Sequence, residues 1–326
     1  MSKNKLKNKQ NLILKIQEFI PNNYTKNTII LLVGKFTTQF MSLLLMPLYT
    51  RYLLTSDYGI VDLYQTYISL LVPILLLCLD SGIFRFLIDL RDKSIIERKK
   101  LISSVFVIIC FQILLLFIIG SILNCFLEVK YFFLVLINIS SVMLSNICLQ
   151  VVRGFGQNIK YSIGSIITGG IILLYSVISL VFFHANASSI LIANSLGNFF
   201  CFIFLLFSSK IYQFIDFKIF SKDVLKNILR YSIPLIPNAL SWWIVNASDR
   251  TIISFFLNAS ANGIYSVSCK FSNILNVSYE DFVRIKRLNT IYKIEIIEIV
   301  DTNDLELTIR KLLTTNQIDY FIHSMA

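Results

Sequence analysis

Eight stretches of largely apolar residues occupy most of this chain, at roughly 27–50, 59–84, 101–123, 131–151, 161–183, 188–208, 232–257 and 262–279. A helix needs about 20 such residues to cross the hydrocarbon of a bilayer, where the backbone must satisfy its own polar groups. Each stretch is therefore expected to be a membrane span. The eighth is the most dilute, since Cys269, Lys270, Ser272, Asn273 and Asn276 interrupt it, and the polar link 258–263 before it reads as a tight turn. With 56% hydrophobic residues, 15% charged residues and a mean hydropathy of +0.70, the composition excludes both a soluble pair of domains and a disordered chain. The net charge of +11 comes from basic residues between the spans, not from an aromatic-studded patch, so no nucleic-acid partner is expected. Cys78, Cys110, Cys125, Cys148, Cys201 and Cys269 lie scattered in apolar runs without metal-ligand or disulfide-framework spacing.

Orientation follows from Lys and Arg in the short loops. The N-terminus and the links after spans two, four and six carry six, six, two and five of them, whereas the alternate links carry only Arg51 and Lys130. This imbalance sets the N-terminus and every even-numbered link on the cytoplasmic side. Residues 1–26 have no apolar run long enough for a signal peptide. Leu12, Ile13, Ile16, Phe19 and Ile20 share one helical face among lysines, which gives an interfacial helix on the inner leaflet or, alternatively, a disordered basic tail. The remaining divisions are a first lobe of six helices over 27–208, a cytoplasmic link over 209–230, two further helices over 231–279, and a soluble tail over 280–326. In the tail, 292–300 and 318–323 read as strands around a short helix from Thr302, an α/β-like piece.

Charged side chains inside spans cost roughly 2.5 to 3.5 kcal/mol on insertion scales, so they face a bundle interior or an aqueous cavity. Arg250, Lys270, Lys35, Arg85 and Arg153 are candidates for binding an anion there, and Asp62, Asp80 and Asp249 for binding a proton or coupling cation. Arginine suits a diphosphate because its planar fork donates two parallel hydrogen bonds. Competing readings exist: Arg85 and Arg153 as topology determinants, Lys35 as a snorkelling side chain, and Asp62 and Asp80 as helix caps or interhelical acceptors. Asp249 and Arg250 are adjacent, about 100° apart on a helix, so one is expected to line a cavity while the other pairs with a neighbouring helix. Trp242 and Trp243 read as interfacial anchors or sugar-stacking platforms. His184 and His323 have no partner spacing for metal or nucleophile chemistry, and no cofactor is expected.

A family resemblance rests on particular residues. Gly34-Lys35, Pro47 to Leu53, Asp57-Tyr58-Gly59 and Asp62-Leu63 resemble the opening helices of bacterial polysaccharide repeat-unit flippases, within the multidrug and oligosaccharidyl-lipid exporter superfamily. Leu79 to Arg85, Arg153 to Tyr161, Tyr231 to Pro237, Ser248-Asp249-Arg250 and Gly263-Ile264-Tyr265 extend the resemblance to about residue 277. It implies an all-α polytopic protein of the bacterial cytoplasmic membrane with two six-helix lobes, of which this chain holds the first and the start of the second, a truncated and inactive form. It also implies alternating access, a polyprenyl-diphosphate-linked oligosaccharide as substrate, and membrane lipids, a polysaccharide polymerase and other assembly proteins as partners. A cation-coupled drug exporter of the same superfamily is the alternative; an enzyme is not expected, since no outward loop exceeds about a dozen residues. The tail, at 298–305 and 318–326, is similar to an internal stretch of phosphopantothenate-cysteine ligases, which suggests a fusion or frameshift near 280, and no catalytic residue carries over.

Cysteines introduced at positions 95 and 215 are expected to resist labelling from outside the cell, and those near 185 and 260 to react. Outside labelling at 95 would overturn the orientation.

Overall fold

The computed structural model describes residues 30, 34, 36–91, 94–126, 130–183 and 186–270, and among these every regular element is helical. The basic N-terminal segment and its expected interfacial helix, Lys35, His184, and the tail with its expected strands lie outside the described residues. Ten helices follow one another: α1 (36–52), α2 (Thr55–Leu75), α3 (Leu79–Asp89), α4 (Ile95–Asn124), α5 (Phe132–Gly154), α6 (Asn158–Val177), α7 (Ser188–Ser208), α8 (Lys222–Ser232), α9 (Ile236–Phe256) and α10 (259–270). Helix α6 runs on through a π-helical turn, Ile178–Phe182. Five of these, α2, α4, α5, α6 with its π turn, and α7, are long and apolar enough to cross a membrane, and the chain is an all-α multi-pass membrane protein.

The stretch expected as one span over 59–84 is instead two helices. Leu77 and Cys78 both take left-handed backbone conformations, each with φ 52°. The Cys78 N–H donates to the Pro73 carbonyl at 2.9 Å and the Leu77 N–H to the Ile74 carbonyl at 3.0 Å, the paired six-to-one and five-to-two bonds that close a helix C-terminus. Glycine usually occupies the left-handed position of such a cap, and a side chain there costs about 1–2 kcal/mol. Leucine at 77 removed the signal that would have marked the stop. The new N-terminus at Leu79 is inside the apolar core, with Leu76, Leu79, Ile83 and Leu87 buried.

Helix α4 shows how the bundle meets lipid. Its 30 residues span about 45 Å. Leu101, Ile102, Val105, Phe106 and Ile109 are buried in the core, whereas Phe111, Leu114, Leu115, Ile118, Ile119 and Ile122 are exposed, as lipid-facing side chains would be. Small polar residues bring the other helices together. Ser145 on α5 donates to Asn198 on α7 at 2.9 Å, and the Tyr49 hydroxyl of α1 meets Ser176 of α6 at 3.1 Å.

The stretch expected as a link over 209–230 contains most of α8. Its Ile228 and Ser232 are buried against Gly82 of α3, and its Lys222, Lys226 and Arg230 are exposed. Ser103 of α4 holds the preceding turns by donating to the Phe214 carbonyl and accepting from the Asp216 N–H, both at 2.9 Å.

Among the described glycines, the tightest surroundings lie between α2 and α10. A Cβ added at Gly59 would fall 1.8 Å from the Ala259 carbonyl oxygen, and one at Gly263 would fall 2.4 Å from that of Thr55. Backbone cannot yield as a flexible side chain can, so both positions require glycine. Gly59→Ala and Gly263→Ala are each expected to cost about 1–3 kcal/mol of packing, seen as a lower unfolding midpoint in detergent. Gly170→Ala in α6, which meets nothing within 4 Å, is expected to leave the midpoint unchanged or raise it. Equal midpoints for all three variants would contradict the α2–α10 contact.

Candidate functional site

Helical periodicity brings three sets of polar residues to one interface. On α2, Gly59, Asp62 and Thr66 recur at three- and four-residue spacing; on α10, Asn262, Ser266 and Lys270 recur every four; on α9, Trp243 and Arg250 are seven apart. Each set lies on one face of its helix. Trp243 Nε1 donates to the Thr66 carbonyl at 3.0 Å, which makes this tryptophan a contact between α9 and α2. Asn262 Nδ2 donates to the Gly59 carbonyl at 2.9 Å and fixes α10 against the same helix.

Asp62 is at the centre. Its Oδ1 accepts from Ser266 Oγ at 2.6 Å and from Arg250 Nη1 at 3.3 Å. The same Arg250 nitrogen lies 3.3 Å from Thr66 Oγ1. The Asp62 side chain is only 10% exposed and that of Arg250 20%, so the pair is largely withdrawn from solvent. Breaking such a pair from one side costs about 3–5 kcal/mol, because the other charge is left buried alone. Asp62 Oδ2 has no hydrogen-bond partner among the described residues.

Neighbouring groups complete the cluster. Asp249 accepts the Tyr265 hydroxyl on one oxygen and its neighbour's N–H, from Arg250 at 2.9 Å, on the other. Both members of the Asp249–Arg250 pair thus contact adjoining helices, Arg250 α2 and Asp249 α10. Lys270 lies over two aromatic rings, Tyr49 at 5.3 Å and Tyr58 at 5.4 Å, and among the described residues no carboxylate forms an ion pair with it. The Tyr58 hydroxyl in turn meets Ser266 Oγ at 3.4 Å. Such cation–ring contacts hold an ammonium without neutralising it.

Four candidate residues, Arg250, Lys270, Asp62 and Asp249, therefore meet. Three others do not join them. Asp80 sits in the first turn of α3, where its carboxylate takes the Ser81 N–H, beyond the break at Leu77 and Cys78 that separates α3 from α2. Arg85 faces Asp89 one turn on, at 4.0 Å, and Arg153 stacks its guanidinium 4.5 Å from the centre of the Phe84 ring. Arg153 thus belongs to the contact between α3 and α5, near which Arg91 also donates to the Gly154 carbonyl at 2.7 Å. Lys35 is outside the described residues. Sequence reasoning missed Tyr49, Tyr58, Thr66, Asn262 and Ser266. The four-residue recurrence of Asn262, Ser266 and Lys270 was the available signal, hidden because the span containing it reads as merely diluted. Among the described residues no group of three or more His, Cys, Asp or Glu side chains could hold a metal ion.

Comparison with known proteins follows the same lines. Several solved structures share the fold. One, described as protein A, has a TM-score of 0.68 at 12% identity, over 80% of this chain and 62% of its own. A MOP superfamily transporter from Pyrococcus furiosus Vc1 (DSM3638) has a TM-score of 0.58 at 15% identity, over 91% of this chain and 73% of its own. An outward-facing multidrug resistance MATE family transporter of the same superfamily has a TM-score of 0.53 at 15% identity, over 91% and 73%. The chain spans less than two thirds of the length of the first of these. No curated protein gives a significant sequence match. The family described as polysaccharide biosynthesis protein matches residues 24–283, which is most of the sequence, and this chain belongs to that family.

Proposed function

We propose that the chain acts in a lipid-linked oligosaccharide flippase of the bacterial cytoplasmic membrane, with its N-terminus inside, and that the Arg250–Lys270 region receives the diphosphate of a polyprenyl-linked repeat unit. The observation that carries this reading is Lys270: a cation lying over two adjacent tyrosine rings without a carboxylate ion pair among the described residues, one α10 turn from the Ser266 that also binds Asp62. A second cation, Arg250, enters the same cluster from α9. An anion losing its hydration inside a membrane needs such donors. The family match to polysaccharide biosynthesis proteins supports the same substrate class. Arg85 and Arg153 at the other end would meet the headgroup first, with Lys35 as a further candidate cation, and Asp80 and Asp249 would serve as proton or cation sites. An inside-negative potential would favour outward movement of the anion by about 2.3 kcal/mol per charge per 100 mV.

The rival reading is a drug exporter of the superfamily, favoured by the two carboxylates Asp62 and Asp249 in the same cluster. The two differ in the charge of the ligand. The purified chain in nanodiscs is expected to bind a short polyprenyl diphosphate and not a lipophilic cationic dye. Arg250→Ala should weaken diphosphate binding about 10- to 100-fold, the value of one charge-assisted contact, and Arg250→Lys should recover part of it. Lys270→Ala should weaken it as well. Protein yield measured in parallel separates lost binding from lost folding. Dye binding without diphosphate binding would establish the exporter instead.

A further inference from the structure

Helix α4 is 30 residues long, about 45 Å, whereas the hydrocarbon of a bilayer takes up about 20 residues of helix. Its exposed apolar residues Phe111, Leu114, Leu115, Ile118, Ile119 and Ile122 lie toward the Asn124 end. About ten residues at the other end, Ile95 to Ser104, therefore project past the hydrocarbon into the headgroup layer. The segment 211–221 is tied to this projecting end. The Ser221 N–H donates to Ser104 Oγ at 3.1 Å, and the Asp216 N–H to Ser103 Oγ at 2.9 Å. Helix α8 begins at the next residue, Lys222, so it too is held at headgroup depth.

The side chains exposed at that depth are mainly cationic. Lys222, Lys226 and Arg230 recur every four residues and share a stripe of about 80° along α8. The stripe borders the apolar set Leu225, Ile228 and Leu229, which packs on the core. These three basic side chains are exposed, as are Lys218 just before α8 and Lys100 on α4. None of the five forms an ion pair among the described residues. Glu97 and Asp223, exposed carboxylates nearby, sit in the first turns of α4 and α8, where each complements a helix N-terminus. Exposed apolar groups lie among the cations: Ile95 and Ile96 on α4, and Phe220 just before α8.

We propose that this ledge, formed by α8 and the start of α4, docks on anionic phospholipids of the leaflet it meets. The basic stripe binds lipid phosphates, and Ile95, Ile96 and Phe220 enter the layer where headgroups give way to acyl chains. Unpaired cations alone would suit any anion. Apolar side chains in the same surface, at a depth set by α4, suit a charged bilayer. Orientation during insertion depends on the number of Lys and Arg in a loop, not on their sharing a face. The stripe is what a surface contact adds. The lipid is here a component of the membrane and not a cargo, and the ledge shares no residue with the Arg250–Lys270 cluster. Helix α8 passes into α9 through the three-residue turn Ile233–Leu235, so lipid that fixes α8 also fixes the depth at which α9 begins.

The test uses the full chain in nanodiscs of phosphatidylcholine alone and of an equal mixture of phosphatidylcholine and phosphatidylglycerol. Hydrogen–deuterium exchange is read on peptides covering 218–232, with peptides from α5 as the internal reference. Phosphatidylglycerol should slow exchange across 218–232 at least about fivefold, the effect of one basic side chain near an anionic surface, and leave α5 unchanged. Added sodium chloride should reverse the slowing, because it screens the attraction. Lys222→Gln, Lys226→Gln and Arg230→Gln together should remove most of the difference between the two lipids. The comparison of lipids on the unmodified chain stands whether or not that variant folds. Equal exchange in the two lipids overturns the proposal and leaves these residues as orientation determinants. An undiminished lipid effect in a folded triple variant overturns the assignment to the stripe. Inorganic phosphate added to the phosphatidylcholine nanodiscs should not reproduce the protection; if it did, the ledge would be a site for a free anion and docking on lipid would be refuted.

Discussion

Everything at the α2–α9–α10 interface depends on one requirement: a carboxylate and a guanidinium inside an apolar bundle must be satisfied by the bundle itself. Little of either side chain is exposed, and Ser266, Thr66 and the Asp62–Arg250 contact supply the partners. That requirement draws three helices close together. The glycines at 59 and 263 exist on the same account, since Ser266 and Asn262 reach α2 only if the two backbones nearly touch. Charge, hydroxyl and glycine are thus parts of one arrangement.

How far this was legible in the sequence depended on the range of the interaction. Hydropathy located the helices, because burial in lipid is a property of each segment alone. Local departures were less legible. The stop after Leu76 uses leucine where glycine would have announced it, and α8 lies in a link whose charged residues hid the apolar set Val224, Leu225, Ile228 and Leu229 that packs on the core. Long-range pairing was not legible at all. Arg250 could be named as a costly intramembrane charge, yet its partner lies 188 residues away. No spacing rule connects such positions. Lys270 illustrates the same limit, since its tyrosines come from two other helices.

The candidate residues also divide by place. Arg250, Lys270, Asp62 and Asp249 form one group, whereas Arg85 and Asp80 lie on α3 and Arg153 on α5, outside it. The second group is built differently: Arg153 lies against Phe84, and Arg91 ties the end of α5 by donating to backbone carbonyls. Its arginines lie at helix ends, whereas the first group holds Arg250 through one guanidinium nitrogen and Lys270 over two tyrosine rings.

The left-handed pair at Leu77 and Cys78 has a mechanical consequence. Below it, α3 is clamped by α5 and α8; above it, α2 is bound to α9 and α10. A continuous helix would transmit any tilt of its upper half straight to its lower half. The cap interrupts that rod, so a tilt of α2 together with α9 and α10 need not be passed on to α3.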